Sequence, residues 1–331
     1  MVGVAVLGCG RIGQIHARNL ARHRRARLVS VFDVRAEAAA QTAAELGVPA
    51  ANSVEEVLAD GEVAAVLIAT PTETHVPLMT AAVKAGKAVL CEKPVDLDIK
   101  RARACWAEIA HRKPSVMIGF NRRFDPSFRA LRERLQRGEI GTPELAVITS
   151  RDPAPPPLAY LKGSGGLLRD MTIHDFDMAR YLAGDITEVQ AFGANLVDPD
   201  IGKLGDIDTC TVALRSAAGA LVQISNSRRC AYGYDQRIEV FGAQGMLQAG
   251  NQRATSVEYW GSERTAARDP VLDFFLERYR QAYESELNAF VAAFEEGRPM
   301  TPDFADGLAA LRLAEAAEES LLTRRAVDVG G

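Results

Sequence analysis

Val2-Gly3-Val4-Ala5-Val6-Leu7-Gly8-Cys9-Gly10-Arg11-Ile12-Gly13 decides how this chain folds. Residues 2–7 are a short apolar run without polar alternation, the pattern of a strand buried on both faces of a parallel sheet. The run ends in G-x-G-x-x-G, and residues 16–23, with Ala17, Leu20 and Ala21, continue as a helix-compatible segment. In such a unit the first glycine permits the tight turn, the second lets the backbone approach a pyrophosphate, and the third lets helix and strand pack closely. The helix N-terminus offers its unpaired N–H groups to the phosphates. Gly8, Gly10, Arg11, Ile12 and Gly13 are therefore the expected phosphate-side contacts of a dinucleotide.

Outward from this loop, residues 28–32 read as a second strand ending at Asp33, where a carboxylate accepts hydrogen bonds from an adenosine ribose. A carboxylate there repels a 2′-phosphate, so NAD is expected over NADP, with Arg35 leaving NADP use open. Strands at 63–69, 88–91 and 115–120 alternate with helical stretches at 76–85 and 97–112, which predicts a doubly wound Rossmann sheet. Ligands of such sheets bind beyond the carboxyl ends of the strands. Thr70, Pro71, His75, Glu92 and Lys93 are the candidates there, although His75 reads equally well as a surface residue at a helix start.

The strand–helix rhythm stops at Asn121, and 331 residues are long for one core. Two domains are expected: a cofactor domain over 1–120 and a substrate and oligomerisation domain of α+β type over 121–331. In the second, strand-like segments at 144–150, 188–196, 207–215, 220–227, 236–241 and 256–259 predict a large open, mainly antiparallel sheet. Helices at 270–296 and 302–323 close the chain. They can cover one sheet face, and a second subunit is expected on the other.

Residues 165–177, Gly165-Gly166-Leu167-Leu168-Arg169-Asp170-Met171-Thr172-Ile173-His174-Asp175-Phe176-Asp177, carry the densest chemistry. If the stretch is helical, Asp170 and His174 share one face at i and i+4. An imidazole held by a carboxylate accepts protons near neutral pH. The plain alternative is a helix start, with Thr172 as N-cap and Asp175 closing a capping box. Arg122 and Arg123 are likewise either substrate-side groups or a solvated pair.

A net charge of −4 argues against a nucleic-acid partner. No signal peptide and no membrane-length apolar run is seen. Five scattered cysteines have no metal-ligand spacing, so reduced thiols, a cytoplasmic location and no bound metal are expected.

Taken together, the glycine loop, Glu92-Lys93-Pro94, Asn121-Arg122-Arg123-Phe124-Asp125-Pro126, Gly165-Gly166 and the Asp170/His174 pair resemble the glucose–fructose oxidoreductase/inositol dehydrogenase/rhizopine catabolism (Gfo/Idh/MocA) family. The resemblance runs from the first strand to the last helices. Within the family, the bacterial inositol 2-dehydrogenases are most similar, through Ser150-Arg151-Asp152-Pro153 and residues 164–179 and 225–239, which include Tyr232-Gly233-Tyr234-Asp235. The resemblance implies a two-domain NAD-dependent dehydrogenase, assembled as a homotetramer through its open sheets. It makes Lys93, Asp170 and His174 the catalytic set, with Arg122, Asp152 and Tyr234 on the substrate side and Tyr232 a weaker candidate. Asp152 stands where related enzymes can carry an amide, which bears on which hydroxyls are recognised. The implied reaction is oxidation of a cyclic polyol, myo-inositol to 2-keto-myo-inositol. Scyllo- or D-chiro-inositol, an aldose oxidised at C1, and a non-catalytic NAD-binding regulator remain as alternatives.

Overall fold

The computed structural model describes residues 1–329. Its first half runs β1 (Val2–Leu7), α1 (Arg11–Ala21), β2 (Ala26–Phe32), α2 (Ala36–Leu46), α3 (Val54–Ala59), β3 (Ala65–Ile68), α4 (His75–Lys84), β4 (Ala88–Glu92), α5 (Ile99–Ile109) and β5 (Val116–Gly119). The five strands form a sheet of order β2-β1-β3-β4-β5, parallel at every pairing. All residues of β1, β3 and β5 are buried, as expected of strands covered by helices on both faces. Each fully buried Val, Leu or Ile there stabilises the fold by about 1.5–3 kcal/mol.

The second half continues with α6 (Pro126–Gln136), β6 (Pro143–Arg151), α7 (Leu158–Ser164), α8 (Ile173–Ala183), β7 (Ile186–Ala194), α9 (Pro199–Lys203), β8 (Thr209–Ser216), β9 (Leu221–Ser227), β10 (Asp235–Gly242), β11 (Gly245–Ala249), β12 (Glu258–Tyr259), β13 (Ala267–Arg268), α10 (Phe275–Arg278), α11 (Arg280–Glu295), α12 (Phe304–Thr323) and β14 (Val327–Asp328). Seven strands make one sheet of order β11-β10-β6-β9-β8-β7-β14. Its pairings are antiparallel except between β6 and β9, which run parallel because the chain passes through α7 and α8 and enters β7 in the direction of β6, and two antiparallel steps lead from β7 to β9. Alternation of buried and exposed residues along β8 to β11 gives the sheet one packed face and one open face.

By internal contacts the chain forms two compact units: Met1–Phe124 with Ala282–Leu311, and Asp125–Gln281 with the described residues from Arg312 onward. The first crossing lies close to the 120/121 division read from the sequence. Ala282–Leu311, assigned there to the second domain, belongs to the first. The physical reason is its apolar face: Leu287, Phe290, Val291 and Met300 are buried in the same core as Val4, Val6, Leu20 and Leu28.

Two further expectations change in detail. The helix read over 270–296 is broken between α10 and α11, where Arg278 turns its guanidinium inward to an ion pair with Asp125 and over the rings of Phe128 and Tyr279. The strand read over 256–259 shortens to β12, which pairs only with β13 in a separate ribbon.

Candidate active site

The glycine loop has the shape its spacing demands. Gly8 has a φ of +97°, and a Cβ on it would stand 2.5 Å from the Ala69 carbonyl oxygen. A Cβ on Gly13 would lie 1.8 Å from the Gly8 carbonyl oxygen, so helix and loop touch there. Gly10 is different: nothing lies within 4 Å of its would-be Cβ, and no side chain caps α1, so the approach to the helix start is open at this residue. That cradle is what a pyrophosphate requires. Beside it, at the end of β2, the Asp33 carboxylate is held by two backbone donors, Cys9 N–H at 2.8 Å and Arg35 N–H at 2.9 Å. These residues fit a bound NAD.

Thr70 follows β3, and its hydroxyl oxygen accepts from the Thr74 hydroxyl at 2.6 Å. Pro71 precedes the short turn Thr72–Thr74. His75 opens α4 but is not on the surface. Only 1% exposed, it sets Nδ1 2.7 Å from the Pro94 carbonyl oxygen and Nε2 2.9 Å from that of Thr70. The ring is thus a strut between the β3 and β4 loops, with a carbonyl oxygen beside each nitrogen and, when neutral, one N–H to donate. Burial, the largest influence, pushes its pKa down, against the upward pull of the two carbonyls. Glu92 ends β4 and accepts a hydrogen bond from His16 Nε2–H at 2.8 Å, and Lys93 comes next in the chain. Arg122 and Arg123 lie in the turn Asn121–Phe124 and are buried, which overturns the solvated-pair reading. Arg123 forks onto Asp306 at 3.0 and 3.1 Å.

In the second unit the chemistry sits on an irregular helix. Gly165 and Gly166 both have φ of +80°, and a Cβ on Gly166 would meet Asp206 Oδ1 at 2.7 Å. That carboxylate oxygen accepts the Leu167 N–H at 2.9 Å, pinning the start of the segment. Leu168–Thr172 then winds as a π-helix before α8 begins at Ile173. Such single π-turns recur at functional sites because they swing side chains away from the regular face. Asp170 lies in the π-turn and His174 in the first turn of α8, so the pair is not set by regular i,i+4 geometry. Asp170 Oδ1 accepts from the Tyr160 hydroxyl at 2.9 Å, and its Oδ2 from both terminal nitrogens of Arg228 at 3.3 Å. Arg228 is itself 1% exposed, so the carboxylate faces a largely desolvated cation.

The capping box expected from Thr172 and Asp175 does not form. Thr172 donates instead to the Leu167 carbonyl at 3.3 Å. Asp175, fully buried, accepts from Ser150 Oγ at 2.6 Å and Asn226 Nδ2 at 2.8 Å, which ties the helix next to His174 onto β6 and β9. Asp152 extends the end of β6, its N–H donating to the Ser227 carbonyl at 2.9 Å. Tyr234 is buried, edge-on to Tyr279 at 5.9 Å. Tyr232 is exposed and donates to Asp235, whose carboxylate also accepts from Arg237 and Asn251. Burial alone would raise the Asp235 pKa, yet these donors bring it below its ordinary value. Arg228, Tyr160, Asp206 and the Ser150–Asp175–Asn226 cluster were not singled out by the sequence reading.

Residues 2–120 match the model of an oxidoreductase family with an NAD-binding Rossmann fold, and 128–248 match the GFO/IDH/MocA C-terminal domain. The chain belongs to the Gfo/Idh/MocA family. As a member of it, the chain is an NAD-dependent oxidoreductase. It is 46% identical to an inositol 2-dehydrogenase of Rhizobium meliloti over 329 residues, covering 99% of each chain. A solved myo-inositol dehydrogenase of Corynebacterium glutamicum is 47% identical, with a TM-score of 0.97 over 100% of this chain and 99% of that one. The scyllo-inositol dehydrogenase of Lactobacillus casei, solved with NAD(H) and scyllo-inositol, is 30% identical with a TM-score of 0.92 over the whole of both chains.

Proposed function

We propose that this Gfo/Idh/MocA member oxidises a secondary alcohol of a cyclic polyol, with myo-inositol going to 2-keto-myo-inositol, as a polyol-catabolic enzyme of the cytoplasm. The observation that carries the substrate is full-length identity of 46–47% to inositol and myo-inositol dehydrogenases, against 30% and 36% to two scyllo-inositol dehydrogenases. When bound, NAD supplies the hydride acceptor. His174 takes the hydroxyl proton as the alcohol is oxidised, since a neutral imidazole is suited to that exchange. Asp170, anchored by Tyr160 and Arg228, orients the imidazole and balances the positive charge it gains. Lys93 supplies a cation to the oxygen as it gains alkoxide character. Arg122, Asp152 and Tyr234 complete the recognition of the ring hydroxyls. Among the described residues no helix is long and apolar enough to cross a membrane, and all five cysteines are free and buried, in keeping with a reducing compartment.

The open sheet face supports the homotetramer. Met246, Phe241, Leu145 and Leu221 stand opposite one another across β11, β10, β6 and β9, and all four are exposed. A continuous apolar row of this kind marks an interaction surface, and a second copy of the chain is the occupant proposed.

The test is nicotinamide reduction at mildly alkaline pH with NAD or NADP and a panel of myo-, scyllo- and D-chiro-inositol, glucose and xylose. The fastest reduction is expected with NAD and myo-inositol, and another polyol leading would transfer the substrate assignment to it. His174→Ala run alongside is expected to bind NAD normally and lose about 10²- to 10⁴-fold in turnover. Near-normal turnover would remove His174 as the base.

A further inference from the structure

Behind the end of β4 lies a cluster that the reaction as described does not use. His16 from α1, Glu92 from β4 and Glu286 from α11 bring one imidazole nitrogen and two carboxyl oxygens within 4.8 Å of one another. His16 and Glu286 are fully buried, the Glu92 side chain is 12% exposed, and neither carboxyl oxygen of Glu286 has a hydrogen-bond partner. Tyr283, one turn before Glu286, closes the site with its ring edge-on to His16 at 5.4 Å. Across the sheet Glu92 pairs with Gly119, where a Cβ would stand 3.1 Å from Glu92 Oε2, so the glycine leaves room for the carboxyl.

Two buried carboxylates beside a single imidazole leave at least one negative charge uncompensated, and a buried acid in that position takes up a proton instead. Burial first, and the Glu92 charge second, push the Glu286 pKa well above its ordinary value. A divalent cation is the other way to neutralise the cluster. However, the 2.8 Å between His16 Nε2 and Glu92 Oε1 is a hydrogen-bond length, and a nitrogen donating its proton to Glu92 has no lone pair left for a metal.

We propose that Glu286 is a positioning residue: as a neutral acid it fills the space beside the Glu92 carboxylate without adding a second buried charge, and the His16–Glu92–Glu286 cluster fixes the strand end that carries Lys93. The role of Lys93 rests on the dehydrogenase reading above, whereas the protonation of Glu286 does not. The titratable groups around Glu286 are Glu92 and His16, with Tyr283 one turn before it, and the Glu92 charge is the one that acts on it.

The experiment compares wild type with Glu286→Gln and Glu286→Leu. A folded-state pKa raised above 4.5 means that the native protein keeps a proton the unfolded chain releases. Wild-type stability therefore falls as pH rises from about 4.5 towards the folded pKa, and glutamine removes that loss. The melting temperature of Glu286→Gln is expected to gain on wild type steadily as pH rises through this window, and parallel curves would overturn the neutral acid. In turnover, Glu286→Leu is expected to lose about 10- to 100-fold in kcat, with Glu286→Gln rescuing it. An alkaline decline in wild-type kcat is expected to be absent from Glu286→Gln. Coincident pH profiles of wild type and Glu286→Gln, or full activity in Glu286→Leu, would overturn the positioning role. One equivalent of divalent metal in the purified protein by elemental analysis would overturn the proton in favour of a cation. The melting comparison needs no substrate, so failure of the dehydrogenase reading leaves it standing.

Discussion

Arg228 shows how much of a site hangs on one buried cation. Its guanidinium faces Asp170 from 58 residues away in sequence, and removing one partner of such a pair leaves the other charge stranded. Arg228→Met is therefore expected to lower stability by about 3–5 kcal/mol and to lower kcat while leaving NAD affinity unchanged, measured by chemical denaturation, steady-state kinetics and titration calorimetry. Equal kcat would restrict Arg228 to a structural role. Lys93, Asp170 and His174 were visible as candidates because each sits in a short pattern of its own, and their roles belong to the proposal above. Arg228 was not, since its meaning depends on where β9 ends relative to the π-turn. Arg122 and Arg123 left two readings open, substrate-side groups or a solvated pair, and their burial with the Asp306 partner of Arg123 removes the second. His75 was read as either a contact or a surface residue, and its two carbonyl partners come from loops 5 and 19 residues away.

At the level of elements, the loop between β1 and α1 separates two uses of glycine that one motif hides. Gly13→Ala puts a methyl group into the Gly8 carbonyl, so loss of the folded first unit is expected on heating at temperatures wild type survives. Gly10→Ala meets no atom and keeps an ordinary φ of −72°, so its melting temperature should match wild type. Its NAD affinity should nonetheless fall, because the methyl group fills the approach that the pyrophosphate needs. If both variants bind NAD normally, the loop is not the phosphate cradle. The strands of the first unit were readable to within two residues at most ends, since apolar runs bounded by glycine leave little freedom. The π-turn was not readable, because its extra residue per turn is imposed by Gly166, Asp206 and the anchored Asp175 rather than by local propensity.

For the whole molecule, the exposed row Met246–Phe241–Leu145–Leu221 predicts assembly. Phe241→Glu places a charge in that row without touching either core and is expected to give a smaller species by light scattering. An unchanged mass would move the interface elsewhere. The segment Ala282–Leu311 carries a different consequence. Because Leu287, Phe290 and Val291 complete the core that β1 begins, the first unit cannot close until nearly the whole chain exists. On the ribosome its opening 124 residues wait, with an apolar flank uncovered, while Asp125–Gln281 of the second unit are synthesised. A gene cut after the fifth strand would encode an incomplete dinucleotide fold, and a stop codon before residue 282 would damage the beginning of the protein as much as its end.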